Sequence, residues 1–166
     1  MNVVVVVGNP RHGSRTRRAA IMVVERLTGR PPARVVELSE LGPGLLASGD
    51  EHVARAKGDV LGADLVVFAS PTFKATYSGL LKLFLDQFAA GELSGTAAVA
   101  LMVGASARHA LAGEHTLKPV LSEIGCSCPA PALFLLESEW ESSPELEAWL
   151  ARAPSAYRLP ALGGQP

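Results

Sequence analysis

Five consecutive valines, Val3–Val7, run directly into Gly8-Asn9-Pro10-Arg11-His12-Gly13-Ser14-Arg15-Thr16. β-branched side chains at every position suit a strand buried on both faces, as in a parallel sheet covered by helices. The segment after it is rich in glycine and hydroxyl groups and leads into a helical pattern. That order builds an anion pocket at the carboxyl end of the strand. A phosphate there would accept hydrogen bonds from backbone amides, from the Ser14 and Thr16 hydroxyls and from the Arg15 guanidinium.

Downstream, strand and helix patterns alternate. Ala19, Ala20, Val23, Val24 and Leu27 form one helical stripe, stopped by Gly29 and Pro31-Pro32, with Arg17 and Arg18 at its border or in solvent. Residues 34–38 read as a short strand. A polar, Gly-rich connection leads to Asp50 and an amphipathic helix ending near Gly62. Residues 64–70 form a strand closed by Pro71, Leu80–Phe88 an apolar helix, and 97–103 the next strand. A longer helix is expected over His109–Ile124, bent at Pro119, then a strand over 132–136 and a short helix over 145–150. Right-handed crossovers turn this alternation into a five-stranded parallel sheet with helices on both faces. The expected fold is α/β and flavodoxin-like, with strand order 2-1-3-4-5. Residues 1–150 are expected to form one domain, and 151–166 a peripheral tail.

With 166 residues, 48% of them apolar, the chain is large enough for a full core. Aromatics supply only 5%, so Val, Leu and Ala must fill it. A formal net charge of -1 argues against nucleic acid as partner. Apolar runs fall short of the roughly 18–20 residues that span a membrane, and no export-type segment opens the chain. Cys126 and Cys128 are too few for a disulfide scaffold, and reduced thiols imply a cytoplasmic protein. His109 and His115 have no ligand-type neighbours at metal-binding spacing, so no metal is expected.

In such a sheet the segments Gly8–Thr16, Ser70–Gly79 and Gly104–Arg108 all follow strand ends and meet on one rim. The first lacks the GxxxxGK[ST] and GxGxxG spacings, which favours a mononucleotide with a single phosphate. Its candidates are Gly8, Asn9, Pro10, Gly13, Ser14, Arg15 and Thr16. The second offers Pro71, Thr72, Phe73, Lys74 and Ser78, and the third Gly104, Ala105 and Ser106, beside a planar ligand. Simpler roles stand beside these: Ser14 and Ser78 as helix caps, Asn9 closing an Asx turn, Lys74 in solvent. No side chain is singled out as a catalytic acid, base or nucleophile.

Three ordered stretches, GNPRHGSRTRRAA, SPTFKATYSGLLKLFLDQF and LMVGASARHALAGEHTLKPVLSEIGC, resemble the NAD(P)H-dependent FMN reductases, particularly those that serve flavin-dependent monooxygenases. The resemblance covers most of residues 2–128. It implies that Ser14, Arg15 and Thr16 hold the FMN phosphate, that Pro71–Lys74 meet the ring, and that Gly104–Ser106 form a third flavin-facing loop. It also implies hydride transfer from NADH or NADPH to flavin N5, with reduced FMN passed to a partner monooxygenase. Arg17, Arg108 and Lys74 are candidates for the nicotinamide nucleotide's phosphates. Assembly as a homodimer or homotetramer is implied, through His109–Ile124 and Leu80–Phe88. A reductase that retains FMN and acts on quinones or azo compounds, and a flavodoxin-type electron carrier, share the fold. One departure stands out: His115 occupies a position where some family members carry Tyr within a π-helical irregularity. Imidazole lacks the shape and chemistry of a phenol.

Overall fold

The computed structural model describes residues 1–159. Its strands are β1 (Val3–Val7), β2 (Arg34–Glu37), β3 (Leu65–Pro71), β4 (Ala97–Gly104) and β5 (Leu133–Leu136). They form one parallel sheet in the order β2-β1-β3-β4-β5, as the sequence pattern requires. Register is tight in the centre, where Val3 through Val7 pair with Leu65 through Ala69. Every residue of β1 and β3 is buried.

Helices cover both faces. Helix α1 (Arg15–Thr28) lays Ala19, Ala20, Val23, Val24 and Leu27 on the face that carries Val3, Val5 and Val7. Two short helices, α2 (Leu38–Leu41) and α3 (Glu51–Leu61), precede β3, and α4 (Gly79–Leu85) and α5 (Lys118–Glu123) flank β4 in sequence. Side chains of α2–α5 pack on the opposite face with Val4, Val6 and Phe68. Helix α6 (Pro144–Leu150) joins the α1 face through Leu146 and Trp149. Among the described residues, no helix is long and apolar enough to cross a membrane.

Three local expectations differ. The connection before Asp50 contains α2 and a 3-10 turn at Gly42–Leu46, because Leu38 and Leu45 have an apolar face to bury. Helix α4 ends at Leu85, and Phe88 reaches the core from a turn, edge-on to Phe84. The single helix expected over 109–124 is three pieces: a 3-10 turn at Ala107–His109, a π-helical turn at Gly113–Leu117, then α5. Pro119 has no N–H to continue an i→i−4 ladder, and the Lys118 N–H closes instead on Gly113 O, five residues back. Of the segment 151–166, residues 160–166 lie outside the described residues. Within the rest, α7 (Ala153–Ala156) buries Ala153, and the Tyr157 hydroxyl donates to Ala98 O at 2.8 Å.

Candidate active site

The first rim loop is built by short-range chemistry. Gly8 lies where its strand passes α4: a Cβ there would sit 2.6 Å from Leu81 Cβ, so any side chain collides. Asn9 does two jobs. Its Oδ1 accepts the Arg11 N–H at 2.9 Å, an Asx turn, while its Nδ2 donates to Thr16 Oγ1 at 2.9 Å. That leaves the Thr16 hydroxyl proton free to donate. Gly13 turns the chain at φ +63°, and Ser14 caps α1 by accepting the Arg17 N–H at 3.3 Å. The N–H groups of Arg15 and Thr16 belong to the first helical turn and have no intrahelical partner. Together these donors form a ready anion cradle.

The loop is braced from β2 by Glu37, which is buried. One oxygen accepts the Gly13 N–H at 2.9 Å; the other lies 2.8 Å from Arg17 Nε and 3.4 Å from His12 Nδ1. Glu40 reaches the same His12 nitrogen at 3.1 Å. Arg17, half-buried at the border of the apolar stripe of α1, is tied to a carboxylate there. Neither Glu37 nor Glu40 entered the sequence reading of the site. The usable signal was position: Glu37 ends an apolar strand next to β1, and every strand end in a parallel sheet faces this rim.

The second loop is shaped by tertiary contacts. Phe73 and Thr76 exchange backbone hydrogen bonds across a two-residue turn, forcing Lys74 and Ala75 to φ 51° and 67°. Two consecutive non-glycine residues in the left-handed region are strained, and such turns ordinarily call for Asn-Gly. The hairpin is held by Thr76 Oγ1, which shares a 2.9 Å hydrogen bond with Thr116 Oγ1 on the π turn. At its base, the Ser78 N–H donates to Ser70 Oγ at 2.9 Å. The Ser78 hydroxyl donates to Gly8 O and accepts the Leu81 N–H, so it is spent on joining the two loops. The Thr72 hydroxyl oxygen is buried with no hydrogen-bond partner among the described residues, and Phe73 is 48% exposed.

These parts enclose a concavity of about 300 Å³ lined by Asn9, Pro10, Ser14, Arg15, Thr16, Pro71 and Phe73. Arg11, Val103 and Glu137 complete the lining. Gly8, Gly13 and Ser78 are not in the lining. Thr72, Lys74, Gly104, Ala105 and Ser106 are not in the lining either; Ser106 caps the next turn by accepting the Arg108 N–H at 3.3 Å. Arg108, a candidate cation like Lys74, also lies outside the lining. Burial pushes the Cys126 thiol up to about 12 and the Cys128 thiol up to about 11, so both serve as packing groups rather than nucleophiles. His115 is exposed on the π turn, the irregularity implied by resemblance.

The concavity thus joins a donor-rich loop at the end of β1 to an apolar ledge at the end of β3. The family model described as NADPH-dependent FMN reductase matches residues 1–141. An FMN reductase (NADPH) of Escherichia coli strain K12 is 33% identical over 132 residues, covering 75% of this chain and 67% of that protein. The NADH-dependent FMN reductase SfnF of Pseudomonas putida is 33% identical over 130 residues, covering 74% and 70%. Among solved structures, the apo form of an NADH:FMN oxidoreductase (EMOB) superposes with a TM-score of 0.84 at 28% identity, over 99% of this chain and 91% of that one. The chain belongs to the NADPH-dependent FMN reductase family and is an oxidoreductase of flavodoxin-like fold.

Proposed function

We propose that this chain uses NADH or NADPH to reduce FMN at the rim concavity and releases reduced FMN to a partner flavin-dependent monooxygenase. The observation that carries this reading is the fit between donors and ligand ends. The Ser14 and Thr16 hydroxyls, the first-turn N–H groups and the guanidinium groups of Arg11 and Arg15 suit a terminal phosphate. Pro71 and Phe73 offer an apolar ledge in the same concavity.

Bound FMN supplies the hydride-accepting N5. The residues' tasks are binding, orientation and exclusion of water: α1 fixes the phosphate end, and the strained Phe73–Thr76 hairpin fixes the ledge. Residues 1–150 form the flavin-binding unit in this reading. Gly104–Ser106 border the flavin ring, Lys74 or Arg108 meets the nicotinamide nucleotide, and two or four copies assemble. Cys126 and Cys128, both unpaired, accord with a reducing, cytoplasmic setting. The names of the relatives, FMN reductase (NADPH) and NADH-dependent FMN reductase, include both donors.

The test is anaerobic mixing of purified protein, FMN and each nicotinamide in turn, following the oxidised-flavin absorbance. Bleaching that requires protein, and continues through many equivalents of added FMN, is expected. Nicotinamide oxidation that stops after one protein equivalent of flavin would instead mark a retained prosthetic group.

A further inference from the structure

The Arg15 guanidinium is already engaged. Its Nη1 lies 3.4 Å from Oε2 of Glu137, and both side chains line the concavity at the end of β1. Glu137 is held there by its backbone. Strand β5 ends at Leu136, and the Glu137 N–H donates to Gly104 O at 2.9 Å, anchoring the carboxylate beside the third loop. Arg15 is 51% exposed and Glu137 37% exposed, so water competes for the pair and it exchanges easily.

Three charged residues line this concavity: Arg11, Arg15 and Glu137. A phosphate monoester carries roughly one and a half to two negative charges near neutral pH. The two arginines alone would match it. With the carboxylate present, the cradle is one positive charge short, and binding phosphate means either displacing Glu137 from Arg15 or tolerating it as a like-charged neighbour. Among the described residues no contact other than the Arg15 pair requires an acid here: Glu137 makes its backbone bond with any side chain.

From this geometry we propose that Glu137 sets how loosely the phosphate end of the flavin is held, by competing with it for Arg15. The residue thereby tunes FMN toward rapid exchange, as befits a flavin that leaves with its electrons. This rests on the reading of the concavity as the flavin site.

The experiment titrates FMN and riboflavin, separately, into wild type, Glu137→Gln and, as a control, Glu139→Gln. Glu139 is an exposed neighbouring carboxylate outside this lining. Glu137→Gln should bind FMN about three- to tenfold more tightly and release it correspondingly more slowly in stopped flow, with the gain shrinking as ionic strength rises. Riboflavin, which lacks the phosphate, should bind wild type and both variants alike. Unchanged or weaker FMN binding by Glu137→Gln overturns the proposal. So does equal tightening of riboflavin, or an equal effect from Glu139→Gln. If neither flavin binds wild type, the flavin-site reading itself falls and the proposal falls with it; FMN binding without a Glu137 effect removes the proposal alone.

Discussion

The two rim loops that meet at the concavity reach the same end by different means. In the first, each residue's intrinsic chemistry matches its duty: Gly13 takes a positive φ, Ser14 caps, and Asn9 closes an Asx turn. In the second, Lys74 and Ala75 occupy backbone conformations that neither prefers, held by a cross-turn bridge and by the Thr76–Thr116 bond to the π turn. One loop is locally consistent. The other is strained and kept in shape by its surroundings, as functional ledges often are.

The largest effect expected from disturbing this pairing comes where the loops touch. Gly8→Val would drive a branched side chain into Leu81, whose Cβ is 2.6 Å from the built position, and should destabilise the protein by about 3 kcal/mol in urea denaturation. A loss below about 1 kcal/mol would mean that α4 yields readily and the two loops are not rigidly coupled.

Within the first loop, Ser14→Ala should lower stability by about 1 kcal/mol through loss of the α1 cap. It should weaken FMN more than riboflavin in the same titrations. Equal losses would assign Ser14 to the fold alone.

Opposite substitutions then test the contrast directly. Gly13→Ala places a Cβ at φ +63°, with no atom within 4 Å to collide, so conformation alone should cost about 1 kcal/mol. Ala75→Gly should do the reverse, raising stability by about 0.5 kcal/mol, because φ 67° carries no penalty for glycine and part of the gain is lost to unfolded-chain entropy. Thermal melts of the two variants should move in opposite directions. If Ala75→Gly lowers the melting temperature, the hairpin is not strained.

The smallest effect concerns the π turn on which the second loop leans. Burial raises the Glu114 carboxyl, but the Ala132 N–H and Lys118 Nζ, at 2.8 and 2.7 Å, outweigh it and hold the group below its ordinary value of 4.5. A carboxyl depressed by folding contributes stability above its unfolded value and loses it as pH falls through the lower folded value. Glu114→Gln should therefore cost a few tenths of a kcal/mol at neutral pH and nothing in strong acid, since the pair is partly exposed. Melting temperatures of both proteins across the acid range would show the two curves converging.

The sheet was legible from residue order because its signals are local and repeated. Val3–Val7 and residues 65–70 can only be central strands, and the helical stripe after Ser14 has one apolar face to bury. The 109–124 segment was not, since its helical pattern holds across a π turn whose extra residue depends on Pro119 and on packing against Met102 and Ala132. Of the residues lining the concavity, Asn9, Pro10, Ser14, Arg15, Thr16, Pro71 and Phe73 were legible because two loops after apolar strands carry them. Glu37 and Glu137 were not, although each stands at a strand end.

Sequence alone determined the parallel sheet, its winding and the donor-rich turn after β1, because these follow from hydrophobic period, chirality and the conformational habits of Gly, Ser and Asn. Only the tertiary structure decided which charges share that turn. Glu37 comes from β2 and Glu137 from beyond β5, brought to Gly13, Arg17 and Arg15 by the stacking of strands. Coulomb forces depend on distance in space, and chain order carries that distance only through the fold.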